Sequence, residues 1–198
     1  MNPRFVHLHV HSEYSLADSL LKVNPLVSQA VSLGAPALAL TDAGNLFALV
    51  KFYETSISRG LKPILGVELK VLAPDSANDV PERVVLLAMN ERGYANLISL
   101  VSASYTTVEH RGVVPEELVF AHSEGVIALS GGIHGHLWQF CLSGDSEALA
   151  VRAGRWQACF GDRYYLELMR TGRTGEDAAT AALVALAAAQ GLGVVACN

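Results

Sequence analysis

The sequence predicts an α/β protein with a parallel sheet, either doubly wound or closed into a barrel, and two further observations favour the (β/α) barrel. Short apolar runs typical of β-strands alternate with helical patterns, which is typical of a parallel sheet covered by helices. Polar residues such as His11, Asp42 and Ser130 follow the strand-like runs, and in a barrel these ends meet at one mouth. The chain also stops directly after a strand-like run, so we expect a barrel that is truncated at its C-terminal end.

The predicted strands are bounded by glycine, proline or polar residues. They cover residues 5–11, 37–41, 63–72, 83–89, 125–130, 163–169 and 192–197. The predicted helices have apolar residues at helical spacing, and the first is opened by Asn24-Pro25 and ended by Gly34. They cover residues 25–33, 46–59, 90–105, 134–142, 145–160 and 176–190, with a short helix after Pro115. Residues 73–82 and the stretch that ends at Gly112 are predicted loops.

Composition restricts the class of protein. With 198 residues, 51% of them hydrophobic, the chain can build one sizeable core, so we expect residues 1–198 to form one domain. No apolar run is long enough to cross a bilayer or to serve as a signal peptide, which predicts a cytoplasmic protein with no membrane partner. Three widely spaced cysteines argue against a disulfide framework and a zinc ribbon. A net charge of −5 without a basic run argues against a nucleic-acid clamp.

The most informative motif is the histidine series near the N-terminus. His7, His9 and His11 alternate with apolar residues, and alternate side chains of a β-strand point to the same face. Imidazole nitrogens are good ligands for zinc and similar metals, so the motif indicates a metal site. A polar face that is satisfied by hydrogen bonds is the competing interpretation.

Six blocks along the chain carry a family resemblance. They are FVHLHVHSEYSLAD at 5–18, PALALTDAGNL at 36–46, GLKPILGVE at 60–68, GYANL at 93–97, GVIALSG at 125–131 and YLELMRTGR at 165–173. In this order they resemble the PHP (polymerase and histidinol phosphatase) domain, in the form that opens the alpha subunit of bacterial replicative DNA polymerase III. The resemblance runs essentially from end to end.

The resemblance implies a fold and a role. The fold is a distorted (β/α) barrel of PHP type, with seven strands in the family, and residues 1–198 are the N-terminal part of a much longer polymerase subunit. That parent is a DNA-directed DNA polymerase, a nucleotidyltransferase of DNA replication, whose active site and Mg lie outside this chain and whose remaining domains contact DNA. The implied partners of this domain are the proofreading exonuclease (epsilon) subunit, for which it is a docking platform, and other subunits of the polymerase III holoenzyme.

The resemblance also carries over a metal site, and here the chain departs from the active pattern. Active PHP domains hold up to three metal ions, and the surviving ligand positions are His9, His11, Asp18 and Glu68.

Ala43, Arg83 and Gly132 replace further ligands, and the last ligand motif would begin at Asn198. We therefore expect a vestigial site with no catalytic residues and no cofactor, in which Arg83 pairs with Glu68 and Asp42 serves as a loop acceptor. The alternative expectation is that His9, His11 and Glu68 still bind one residual Zn or Mn ion.

Two alternatives of other classes remain at this point. The surviving ligands keep open an active metal-dependent phosphoesterase or 3′–5′ exonuclease. A stand-alone phosphatase of histidinol-phosphatase type is the third hypothesis, and the polymerase-type blocks count against it. Outside the motif, we expect His134 and His136 to be surface or capping residues, and Trp156 with Tyr164 to be core aromatics.

Overall fold

The computed structural model describes residues 5–16, 18–74, 80–106 and 112–197. Parts of the two predicted loops, residues 75–79 and 107–111, lie outside these ranges, as does Asn198, where the last ligand motif would begin.

The described residues form seven strands and seven helices. The strands are β1 (Ala37–Leu40), β2 (Lys62–Leu72), β3 (Glu82–Ala88), β4 (Val113–Pro115), β5 (Val126–Leu129), β6 (Tyr164–Met169) and β7 (Gly193–Cys197). The helices are α1 (Val23–Ser32), α2 (Leu49–Ser58), α3 (Glu91–Thr106), α4 (Glu116–Ala121), α5 (Trp138–Ser143), α6 (Ser146–Phe160) and α7 (Glu176–Gln190).

The strands form one mixed sheet in the order β1-β2-β3-β5-β6-β7, with β4 added to the end of β2. Strand β3 runs antiparallel to both β2 and β5, whereas the other pairs are parallel. The prediction of an all-parallel sheet was therefore wrong. A parallel neighbour needs a crossover of a dozen or more residues, and only residues 73–81 connect β2 to β3, so the chain returns in the opposite direction.

The first predicted strand, residues 5–11, is not a regular strand. Its backbone contacts β1 and the residue after it: the carbonyl of His7 accepts from Ala39 N (2.9 Å) and that of Val10 accepts from Thr41 N (2.9 Å). These contacts are three residues apart in one segment and two in the other, and the Val10 amide donates instead to the Thr41 hydroxyl (2.9 Å). The backbone hydrogen-bond ladder between this segment and β1 is therefore interrupted between His7 and Val10.

Smaller differences concern single elements. Helix α2 begins at Leu49 rather than at residue 46, and the predicted helix 134–142 divides into a 3-10 turn at Gly132–His134 and helix α5. Strand β4 was not predicted. It has only three residues and gains its stability from pairing with β2, which is a tertiary contact.

The sheet has two buried faces, and alternation along the strands separates them. On β3, Val84 and Leu86 join the large core beneath α3, α6 and α7, while Val85 joins a smaller cluster on the opposite, inner face. Leu8 and Cys197 belong to this inner cluster too, so the N-terminal segment beside β1 approaches β7. The sheet is thus curled into part of a barrel, as the fold prediction required.

Candidate metal centre

A cavity of about 510 Å³ opens at the inner face of the curled sheet. Acidic, basic and histidine side chains line it, among them His9, His11, Glu68, Arg83 and His134. Glu68 reaches the inner face because its neighbours on β2, Val67 and Leu69, point into the large core. Since the polar side chains converge on one cavity, this is the candidate functional site.

His9 lies between two buried carboxylates. Its Nδ1 is 2.7 Å from Glu167 Oε1, and its Nε2 is 3.2 Å from Glu68 Oε2. Burial by itself lowers the pKa of His9, but the hydrogen bonds and negative charges of Glu167 and Glu68 outweigh it and raise the pKa to about 10. At neutral pH the imidazole is therefore a cation that donates from both nitrogens, and it has no lone pair for a metal ion.

Glu68 is also paired with Arg83, as predicted from the sequence. The two residues share a face because Glu68 pairs in register with Val85, and Arg83 lies two residues along β3. Arg83 Nη1 donates to Glu68 Oε1 at 2.8 Å. Burial raises the pKa of Glu68, but the contacts with His9 and Arg83 more than offset this effect and lower it. The carboxylate is thus held ionised by two protein cations.

His11 differs from His9, although their ring centroids are only 5.2 Å apart. Burial lowers the pKa of His11, and its Nε2 is buried without a hydrogen-bond partner, 3.8 Å from Glu68 Oε1. Its Nδ1 lies 3.7 Å from Asp18 Oδ2, on a carboxylate that is 42% exposed. His11 is therefore a neutral imidazole with a free ligand atom that faces the carboxylate of Glu68.

Three side chains come together in the geometry of a metal site. One ligand atom each from His9, His11 and Glu68 lies within 4.8 Å of the others, and this group does not include Asp18. His7 lines the same cavity without joining the group, so the N-terminal motif supplies two adjacent ligands rather than three.

The residues present do not fit a cluster of several ions. Ala43 offers no side-chain donor, and a Cβ built at Gly132 would lie 2.2 Å from the sulfur of Met169, so Met169 occupies the space that a ligand at position 132 would need. A single ion on His9, His11 and Glu68 would require that His9 lose its proton, and it would compete with Arg83 for the charge of Glu68.

Asp42 holds a loop, in agreement with the prediction. Its carboxylate accepts hydrogen bonds from the Ser12 amide (2.6 Å), the Ser12 hydroxyl (2.7 Å) and the Ser15 hydroxyl (2.6 Å). Because both oxygens accept hydrogen bonds from this loop, Asp42 orders the segment between His11 and Asp18.

Sequence analysis missed Glu167 as a site residue. It belongs to β6, its carboxylate is fully buried, and its backbone amide donates to the Ser130 hydroxyl at 2.9 Å. The signal in the sequence was an acidic residue between Leu166 and Leu168 in a strand that is otherwise apolar or aromatic. Such a residue has to find a partner on the inner face, and the sequence did not show that the partner is His9.

His136 is not a surface residue, so that expectation was wrong. It is buried at 2% exposure, its Nε2 is 2.7 Å from the Tyr164 hydroxyl, and its ring stacks on Trp156 with centroids 4.7 Å apart. Burial and the nearby Arg152 hold its pKa well below the usual value. The turn that replaced the predicted helix directs this ring inward. Trp156 and Tyr164 are core aromatics, as predicted.

Comparison with known proteins identifies the family. The model of the PHP domain matches residues 7–171. The chain belongs to the PHP domain family. Two solved structures share the fold of this PHP domain: an amidohydrolase from Chromobacterium violaceum (TM-score 0.62, 15% identity, covering 98% of this chain and 86% of that one) and a Bifidobacterium adolescentis protein proposed to be a metal-dependent phosphoesterase (TM-score 0.56, 14% identity, 97% and 85%).

Curated relatives of this PHP domain are alpha subunits of DNA polymerase III. The Escherichia coli K12 subunit is 43% identical over 99% of this chain, and the Vibrio cholerae subunit is 41% identical over 89%. The chain spans 17% and 15% of their lengths. Among the helices that the structure describes, none is long and apolar enough to span a membrane.

Proposed function

We propose that residues 1–198 are the N-terminal PHP domain of a replicative DNA polymerase III alpha subunit. Identity of about 40% to such subunits over nearly the whole chain supports this. The parent would be a cytoplasmic DNA-directed DNA polymerase, with its Mg-dependent nucleotidyl-transfer site and its DNA contacts in the polypeptide that follows residue 198.

Within that subunit, we propose that this domain catalyses no reaction, and the contact between Arg83 and Glu68 carries the argument. Hydrolytic sites of this kind share a hydroxide and the scissile phosphate between ions about 3.5–4 Å apart, so each ion needs its own ligands. Here a guanidinium lies 2.8 Å from the central carboxylate, and the imidazolium of His9 occupies its other side. Two protein cations thus supply the positive charge that metal ions would supply.

The metal ligands of this domain are therefore vestigial. His9, His11 and Glu68, with Asp18 at the edge of the cavity, are the residues that would hold one residual zinc or manganese ion. Such an ion would supply Lewis-acid chemistry. The free Nε2 of His11 is the observation that favours the second candidate function, a metal-dependent phosphoesterase or 3′–5′ exonuclease.

The role we propose for the domain is support of the polymerase fold and docking of the proofreading exonuclease (epsilon) subunit within the holoenzyme. A curled sheet whose inner face is held together by ion pairs needs no substrate to hold its shape. The net charge of −5 supports a protein partner rather than direct contact with DNA.

One experiment on the full-length subunit distinguishes a polymerase with an inactive PHP domain from an active nuclease or phosphoesterase. We expect the purified subunit to extend a primed template with Mg²⁺. We also expect that any hydrolysis of phosphate esters or single-stranded DNA, with added zinc or manganese, is unchanged in His9→Ala.

His122→Ala is the matched control, because His122 lies outside the cavity and its Nδ1 is hydrogen-bonded to the backbone carbonyl of Leu118. Hydrolysis abolished by His9→Ala but not by His122→Ala would establish the second candidate function. Failure to extend the primer would refute the assignment to a polymerase.

A further inference from the structure

Helix α2 and the turn before it expose a row of large apolar side chains. Phe47 is 69% exposed, Val50 67%, Tyr53 50% and Ile57 55%. Elsewhere on the described helices, apolar side chains of this exposure are isolated, as Val151 is on α6. We call Phe47, Val50, Tyr53 and Ile57 the α2 stripe.

The α2 stripe is separate from the face that α2 buries. Leu49, Phe52 and Ser56 are the buried residues of this helix. At 100° per residue, Val50, Tyr53 and Ile57 fall within an arc of about 60°, whose centre is roughly 100° around the axis from the centre of that buried face. The helix is therefore apolar on two sides, and burial in the core accounts for only one of them.

The size of the stripe indicates a binding surface. Taking about 150–200 Å² for each fully exposed side chain, the four residues expose on the order of 360–480 Å². Contiguous apolar patches of this size are among the largest on monomers and are often functional. The area is about half of the roughly 800 Å² that each partner contributes to a standard protein complex.

The spacing within the stripe indicates the chemistry of its partner. Val50, Tyr53 and Ile57 stand at i, i+3 and i+7, the pattern through which one helix packs along another. The rim on one side is charged, because Lys51, which follows Val50 around the helix, forms an ion pair with Glu13 (3.6 Å) while both side chains remain partly exposed. An aromatic centre within a wet, charged rim is typical of separable complexes, whereas permanent interfaces are larger and more apolar.

We propose that the α2 stripe is the docking face for an apolar helix of a separate protein subunit. This rests on the proposed function, under which the exonuclease subunit is that partner. A helix of about three turns would cover the distance from Phe47 to Ile57.

The test measures the affinity of the full-length alpha subunit for the exonuclease subunit by calorimetry. Val50→Glu places a charge in the centre of the stripe, and we expect it to weaken binding at least tenfold. Val151→Glu is the matched control, because Val151 is also a helical valine, 63% exposed, on a different helix, and we expect binding within twofold of the original protein.

The outcomes separate the two proposals. If the original subunits do not associate, docking of the exonuclease is refuted. If they associate and Val50→Glu binds as well as Val151→Glu does, docking holds and the α2 stripe is the wrong surface.

A photo-crosslinking residue in place of Tyr53 gives a result that does not depend on how well Val50→Glu folds. Capture of the exonuclease supports the proposal. Capture of another part of the alpha chain, or of a second alpha subunit, overturns it.

Discussion

Two ionic clusters on opposite faces of the sheet are both built on paired glutamates and arginines, but they have different roles. On the helix-covered face, Glu116 is fully buried and contacts Arg152, Arg155 (2.6 Å) and the Trp156 indole nitrogen (3.1 Å), while Arg152 also binds Glu82 (2.6 Å). On the inner face, His9, Glu68, Arg83 and Glu167 surround an open cavity. We call these the core cluster and the mouth cluster.

Their formal charges differ. In the core cluster, two carboxylates (Glu82, Glu116) face two guanidiniums (Arg152, Arg155). In the mouth cluster, three carboxylates (Glu68, Glu167, Asp18) face two cations (Arg83 and protonated His9), with His11 neutral. Three minus two leaves one negative charge beside a free imidazole nitrogen. The comparison teaches that a largely buried cluster, with balanced charges among its described residues, is structural, whereas a cluster open to solvent keeps the electrostatics of a former cation site.

The sharpest way to break this comparison is to remove the central acid of the core cluster. Glu116→Ala leaves Arg152 buried with one partner and the Trp156 indole with none, so we expect a loss of about 3–5 kcal/mol in the free energy of unfolding. Glu124→Ala is the control, because its ion pair with Arg92 is mostly exposed and is worth about 0–1 kcal/mol. Denaturant unfolding measures both. Equal effects would show that the core cluster contributes no more than a surface pair.

Removing one partner of an ion pair in the mouth cluster should reduce the free energy of unfolding by a smaller amount. Arg83→Ala leaves Glu68 with His9 as its remaining close partner, and water can enter from the cavity, so we expect a loss of about 1–3 kcal/mol. Arg92→Ala, which removes an exposed arginine, provides the baseline in the same unfolding measurement. A stability unchanged from the original protein would contradict the idea that Arg83 replaces the charge of a metal ion.

His9 in the mouth cluster and His136, which stacks on Trp156 of the core cluster, should make stability respond to pH in opposite directions, with slopes of at most about 1.4 kcal/mol per pH unit for each histidine. Because the folded pKa of His9 is about 10, above the ordinary 6.5, the stability it contributes is complete below 6.5 and is lost as pH rises toward 10. Because the folded pKa of His136 is well below 6.5, its contribution is complete above 6.5 and is lost as pH falls.

Unfolding between pH 5 and 10 in the presence of a chelator, with His9→Gln and His136→Gln, checks this. We expect His9→Gln to flatten the dependence of unfolding free energy on pH only above pH 6.5, and His136→Gln to flatten it only below pH 6.5. A variant that flattens neither side would show that its histidine titrates alike in the folded and unfolded chain.

Sequence patterns predicted the site where the relevant residues lie close in the chain or on adjacent strands. The pairing of Arg83 with Glu68 and the loop role of Asp42 are confirmed, because β2 pairs with β3 and the segment before Ser12 lies beside β1, the strand that precedes Asp42. The pairing of His9 with Glu167 was not predicted. These residues are 158 positions apart, and only the curl of the sheet joins them.

The features of the fold can likewise be separated into those that the sequence determined and those that depended on tertiary structure. By itself, the sequence determined the order of most strands and helices, the α/β class and the PHP family, because periodicity, capping residues and local motifs are properties of neighbouring residues. Tertiary structure alone decided that His136 turns into the core and that Met169 fills the space beside Gly132. These features depend on which surfaces meet after the chain collapses, and burial free energy between distant segments, rather than local preference, decides that.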